Sequence, residues 1–226
     1  MRNRLLRTTI SLFLLSFCTS VFAGNTPPSD DEIQKWWKQN NKEEMTIEGK
    51  PLQIGLRKKE VAYVVPVGFY GRGRNFIWHM VLVRPAIKEV QEVEEPVRRD
   101  CIVHDLNHDG ISEIETVSLG SGQGTTNGEK SIVQFDGWKP IVLHHTEFHD
   151  NLGGCGPPPG GYGQCVSKEV NWQFVDLDGD GNNDLIEEII VMKGSRPNKL
   201  STKKTINKYL FKNNAFIKIK GDVKIK

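Results

Sequence analysis

Between Val175 and Glu188 the chain reads VDLDGDGNNDLIEE, with four aspartates and two glycines in the nine residues that start at Asp176. Carboxylates this close repel one another, so the turn folds only if positive charge is placed among them. Numbered from Asp176, positions 1, 3, 5 and 9 are Asp176, Asp178, Asp180 and Asp184, with Gly181 at position 6 and Asn182 at position 7. A tight turn of this spacing converges alternate side chains on one point. Glycine at position 6 permits the backbone angles that turn the carbonyl of Asn182 inward. All the donors are oxygens, which suits a hard cation and not zinc. Calcium, with six to eight oxygens at roughly 2.3–2.6 Å in flexible geometry, fits best.

A weaker copy lies 71 residues upstream: HDLNHDGISEIETVSL, from His104 to Leu119, aligns with VDLDGDGNNDLIEEII, from Val175 to Ile190. Asp105, Asn107, Asp109 and Glu113 hold positions 1, 3, 5 and 9, with Gly110 at 6 and Ile111 offering its carbonyl. One formal charge fewer predicts lower affinity. The pattern is also that of an EF-hand, and Glu187 sits at position 12. An EF-hand needs amphipathic helices on both sides, whereas VNWQFV and DLIEEIIVM are β-rich, and the first loop has Thr116 at position 12. Glu187 therefore reads as a solvent-facing strand residue.

The remaining pattern is mainly β. One segment, SDDEIQKWWKQNNKEE, reads as helix, opened by a capping box of Ser29 and Glu32. Ile33, Trp36, Trp37 and Asn40 share one face, which packs on a sheet or meets a partner or a membrane surface. EVAYVVPVGFY and NFIWHMVLV read as strands around GRGR. EKSIVQFDGWKPIVLHH reads as a hairpin turning at Asp136-Gly137, and INKYLFKNNAFIKIK as one turning at Asn213-Asn214. Each acidic turn thus heads a unit of four strands, at about 97–146 and 170–220.

These two units resemble the FG-GAP or VCBS-type repeat, the calcium-loop blade of integrin-like β-propellers. That resemblance implies a structural calcium ion in each loop. Asp176, Asp178, Asp180, Asp184 and the Asn182 carbonyl would hold one, and Asp105, Asn107, Asp109, Glu113 and the Ile111 carbonyl the other. A closed propeller needs about four or more blades. This chain has room for three at most, so the expectation is four-stranded, blade-like antiparallel repeats forming a partial propeller or packed sheets, with one short N-terminal helix.

Residues 1–23 read as a secretory signal peptide: Arg2, Arg4 and Arg7, a short apolar core from Ile10 to Phe17, and VFA before Gly24. The segment from 24 to 45 is helical and that from 46 to 226 is the β domain. Removing the leader takes three arginines and no acids, leaving 27 basic against 28 acidic residues, a net charge of −1. Lys199 to Lys226 carries nine lysines and one acid, +8, so the rest of the exported chain carries −9. A basic end suits nucleic acid or an anionic surface, but lysines alternating with apolar residues in FIKIKGDVKIK read better as the wet side of strands and guards of a sheet edge. In an oxidising compartment Cys155 and Cys165 pair across the loop CGPPPGGYGQC, and Cys101 is left as a buried thiol.

The chemistry of catalysis is thinly represented. His144, His145, Glu147, His149 and Asp150 cluster in HHTEFHD, yet four-residue spacing converges only on a helix, and this stretch runs from a strand into a glycine-rich loop. GSGQGTTNG fails the dinucleotide spacing at Thr125. It and GGCGPPPGGYGQC read as loops forming a binding rim. The expectation is an exported, calcium-stabilised β protein, periplasmic or secreted, that binds a protein or glycan. The alternatives are an envelope hydrolase built on the histidines and a secreted effector.

Overall fold

The computed structural model describes residues 26–70, 79–93, 97–98, 100–157 and 163–220. The leader, the GRGR turn and the last six residues lie outside this set, as does the centre of CGPPPGGYGQC. The elements are α1 (Asp30–Asn40), β1 (Met45–Ile47), β2 (Leu52–Leu56), a 3-10 turn (Arg57–Lys59), β3 (Glu60–Phe69), β4 (His79–Arg84), β5 (Glu89–Glu92) and β6 (Ile102–His104). They continue with β7 (Glu113–Gly122), β8 (Thr125–Asp136), β9 (Lys139–Asp150), β10 (Cys165–Val175), β11 (Asp184–Arg196), β12 (Lys199–Lys212) and β13 (Ala215–Ile219).

The helix starts where its capping box directs: Ser29 N donates to Glu32 Oε2 at 2.9 Å and Glu32 N donates to Ser29 Oγ at 3.4 Å. Ile33, Trp36 and Trp37 are buried on its inner face, against β1, β3, β4 and β5. Of the two readings of that face, the sheet covers it. Trp37 also donates its indole N–H to the Glu43 carbonyl at 2.8 Å, so the ring's polar atom is paired on burial.

Five strands form the first sheet, in the order β1-β3-β4-β5, with β2 also pairing β3. All pairings are antiparallel. The run of apolar residues in β3 reflects burial on both faces. Tyr63, Val65, Val67 and Phe69 meet the helix, while Ala62 and Val64 meet the second sheet. There they join Ile54, Leu56, Met80, Leu82, Val97, Ile114, Val133 and Phe135 in a second core cluster.

The second sheet has eight antiparallel strands in sequence order, from β6 to β13, and it curls into a half-barrel. β9 and β10 pair only at Ser167↔Asp150 and Lys168↔His149. Beyond those pairs the strands part, so β6–β9 and β10–β13 lean on each other. Two-residue turns connect β7 to β8, β8 to β9, β11 to β12 and β12 to β13. Asn213 and Asn214, at φ 53° and 58°, turn β12 into β13, as the twist of a two-residue hairpin requires. The β8–β9 turn is Gly137-Trp138, one residue beyond the expected Asp136-Gly137, because Asp136 still pairs with Lys139.

Two expectations are corrected. GSGQGTTNG is no loop: β7 and β8 pair through Gly122↔Thr125, with only Gln123-Gly124 turning, both at positive φ. Glycines that read as flexibility are here strand residues and a two-residue turn. HHTEFHD does not enter a loop either, because β9 continues to Asp150. His145 and His149, four strand residues apart, are separated by roughly 13 Å and cannot share an ion.

Candidate metal centre

The two acidic loops link β6 to β7 and β10 to β11. The second closes on itself through its own carboxylates. Asp176 accepts from Gly179 N at 2.7 Å and from Gly181 N at 3.0 Å, and Asp180 Oδ1 accepts from Asn182 N at 2.8 Å. Gly181 stands at φ +90°, the left-handed backbone that position 6 demands. Asp184, fully buried at the start of β11, accepts from Leu177 N at 2.8 Å and Phe211 N at 2.7 Å. Burial pushes its carboxyl above the ordinary range, and those two N–H groups oppose the shift.

Asp176, Asp178 and Asp184 bring carboxylate oxygens within 4.8 Å of one another, and they are the one such group among the described residues. Three convergent oxygens, one on a buried strand residue, can hold a metal ion. Asp180 stands outside the group. Its Oδ2 receives Lys212 Nζ at 3.2 Å and Asn182 Nδ2 at 3.1 Å. The Asn182 N–H, followed by Lys212, holds its carboxyl below the ordinary range.

The first loop is built alike but does not converge as far. Gly110, at φ +79°, donates to Asp105 Oδ2 at 3.2 Å, and Ile111 N donates to Asp109 Oδ1 at 2.7 Å. Glu113 is fully buried, receiving Leu106 N at 2.8 Å and Gln134 Nε2 at 3.1 Å. Burial, helped by the charges of Asp109 and Asp105, pushes its carboxyl up to about 7. Asp105 Oδ1 is buried and has no hydrogen-bond partner among the described residues, so it is an acceptor left open. Asn107 donates to Asp109 and to Asn214.

The two loops touch: Asn183 N donates to the Leu106 carbonyl at 2.6 Å. The β12–β13 turn sits between them, Lys212 reaching the second loop and Asn214 the first. Nothing in the residue order announced this meeting. It follows from the curl that folds β10–β13 onto β6–β9.

The same curl produces a polar cluster that overturns the reading of Glu187. That side chain is not on the solvent face but 2% exposed, at the centre of the contact between the two halves. Its Oε1 receives His144 Nε2 at 3.1 Å, the Thr146 hydroxyl and Trp172 Nε1 at 3.4 Å. Its Oε2 receives Asn207 Nδ2 at 2.8 Å and the Tyr209 hydroxyl at 3.2 Å. Burial alone would raise the carboxyl, but the donors led by His144 hold it well below the usual carboxylate range. His144 also lies against Trp172, Tyr209 and Phe216. Beside them, Glu115 binds His104 at 3.0 Å and Lys130 at 2.7 Å, and Lys130 covers the Trp172 ring. The histidines are thus spent in separate contacts. His144 is bound to Glu187, His149 to Asn127, and His145 is exposed.

Cys155 and Cys165 form the expected disulfide, and Cys101 is free, with burial pushing its thiol up to about 11. A groove of about 550 Å³ opens on β7–β10, lined by Leu119, Asn127, Glu129, Glu147, Phe148 and Lys168 among others. No helix of the described residues is long and apolar enough to cross a membrane. Among known proteins, no family model matches the chain, and no curated protein or solved structure is similar to it.

Proposed function

We propose that the chain is an exported β protein of the FG-GAP/VCBS type, stabilised by calcium, that works by binding a protein or glycan in the periplasm or outside the cell. The observation that carries the metal reading is the convergence of Asp176, Asp178 and Asp184 within 4.8 Å. All-oxygen ligation favours a hard cation, and the flexible coordination of calcium tolerates the unequal reach of the loop's side chains. Asp180 and the Asn182 carbonyl complete the shell of the second loop. Asp105, Asn107, Asp109, Glu113 and the Ile111 carbonyl form the weaker one.

The role of the ion is structural. Both loops and the β12–β13 turn meet at one end of the eight-stranded sheet, so neutralising the loops fixes the end where the two halves touch. The disulfide supports an oxidising compartment. The groove on β7–β10, with Phe148 and Leu119 beside the carboxylates of Glu129 and Glu147, is the surface offered to the partner.

The test is thermal melting of residues 24 to 226 in chelator and then in millimolar calcium. At a hundredfold excess over Kd, calcium adds about 2.7 kcal/mol, a rise of roughly 5–11 °C in a chain of this size. Asp176→Asn with Asp178→Asn cuts the rise to what the weaker first loop supplies. An equal rise in that variant, or none in the wild type, refutes the assignment.

A further inference from the structure

The second acidic loop already has a cation beside it. Lys212, at the end of β12, places Nζ 2.8 Å from Asp178 Oδ2 and 3.2 Å from Asp180 Oδ2. The lysine does not arrive there by the chance reach of a long side chain. Its neighbour Phe211 donates its backbone N–H to Asp184 Oδ1 at 2.7 Å, and Phe211 itself is buried. On its other side the turn Asn213-Asn214 is fastened to the first loop by Asn107 Nδ2 on Asn214 Oδ1 at 3.2 Å. Both flanks of Lys212 are therefore anchored, and its ammonium is delivered to the loop by the fold.

Asp178 belongs at once to the convergent group and to this ion pair. A divalent cation seated among Asp176, Asp178 and Asp184 would share that carboxylate with the ammonium at close range, where like charges repel strongly. We propose that Lys212 is a tethered counter-ion that sets the metal affinity of the second loop: ammonium and metal compete for Asp178. The inference rests on reading this loop as a calcium site. Lys212 neutralises the loop when calcium is scarce, so the fold survives without the ion. The same charge raises the calcium concentration at which the loop fills. At the corresponding contact the first loop meets the neutral Asn214, and among the described residues no ammonium is paired with its aspartates.

The two effects of Lys212 have opposite signs, and this separates a counter-ion from a lysine that merely supports the fold. Calcium chloride is titrated by calorimetry into residues 24 to 226 of the wild type, Lys212→Met and Lys212→Gln, and each is melted in chelator. Lys212→Gln keeps a neutral hydrogen-bond donor on a side chain one bond shorter and serves if Lys212→Met does not fold. The expected result is calcium binding about tenfold tighter or more in both variants, with a lower Tm than wild type in chelator. Unchanged or weaker calcium binding by the folded variants overturns the proposal while leaving the calcium site standing. No calcium binding by the wild type or by either variant overturns the site itself, and the proposal with it.

Discussion

Replacing Glu187 tests whether the two halves of the large sheet are held by a buried charge. Five donors converge on its two oxygens, and the side chain is 2% exposed. In Glu187→Leu the Thr146 and Tyr209 hydroxyls can rotate toward other acceptors, whereas His144, Trp172 and Asn207 are left facing an apolar group. Stranding these three donors costs about 3–5 kcal/mol. In a chain of this length that is a Tm fall of roughly 6–20 °C. Glu187→Gln keeps an oxygen for His144, Thr146 and Trp172, and Asn207 can flip its amide, so only charge assistance is lost, about 1–2 kcal/mol. The sign with pH also follows. A carboxyl held below its ordinary 4.5 in the folded state gives stability that is present above 4.5 and lost as pH falls toward the folded value. Denaturant melts by far-UV circular dichroism at pH 7 and at pH 3.5 read both effects. The wild-type advantage over Glu187→Gln should shrink at the lower pH. A Glu187→Leu variant within about 1 kcal/mol of wild type would refute the reasoning, since the donors would then be finding water or other partners.

Other perturbations separate the parts of the fold. Trp37→Ala, which empties a site 3% exposed and removes the bond to Glu43, should cost about 3–5 kcal/mol and expose the first sheet to limited proteolysis. Reducing the Cys155–Cys165 bond, which closes a loop of sequence separation 10, should lower stability by roughly 2–3 kcal/mol, measurable as a shift in the urea midpoint. Gly124→Ala should destabilise by more than the usual positive-φ penalty. Its Cβ would lie 2.6 Å from the Gly153 carbonyl carbon, so the β7–β8 turn must lift away, as amide exchange at Gly153 and Gly154 would report.

Much of this architecture was legible because local chemistry and tertiary structure agree. Ser29 with Glu32, the paired asparagines at 213 and 214, and Gly110 and Gly181 each specify a backbone conformation, and each adopts it. The misplacement of Glu187 and the unforeseen contact of Lys212 share one cause, the curl of the second sheet. In β11 one face carries Leu185, Glu187, Ile189 and Val191 and the other Ile186, Glu188, Ile190 and Met192. Both are apolar with one acid, so alternation gave no ground for placing Glu187 inside. His144 and Thr146 are spaced for one face of a strand, a signal that was readable once β9 is extended to Asp150. Lys212 carried none, because lysines alternating with apolar residues describe an exposed strand equally well. Its meeting with Asp178 depends on a contact 34 residues away along the chain. GSGQGTTNG misled because glycine also serves strands that pack closely: the Phe148 ring lies over Gly128, where a side chain would collide.

A crystal structure grown in millimolar calcium would show directly whether the proposed ion sits among the aspartates of the second loop. The expected density is coordinated by Asp176, Asp178, Asp180, Asp184 and the Asn182 carbonyl, completed by water to six or more oxygens at roughly 2.3–2.6 Å, with Lys212 drawn off Asp178. Density showing only water there, with Lys212 still on Asp178 and Asp180, would contradict the proposed site.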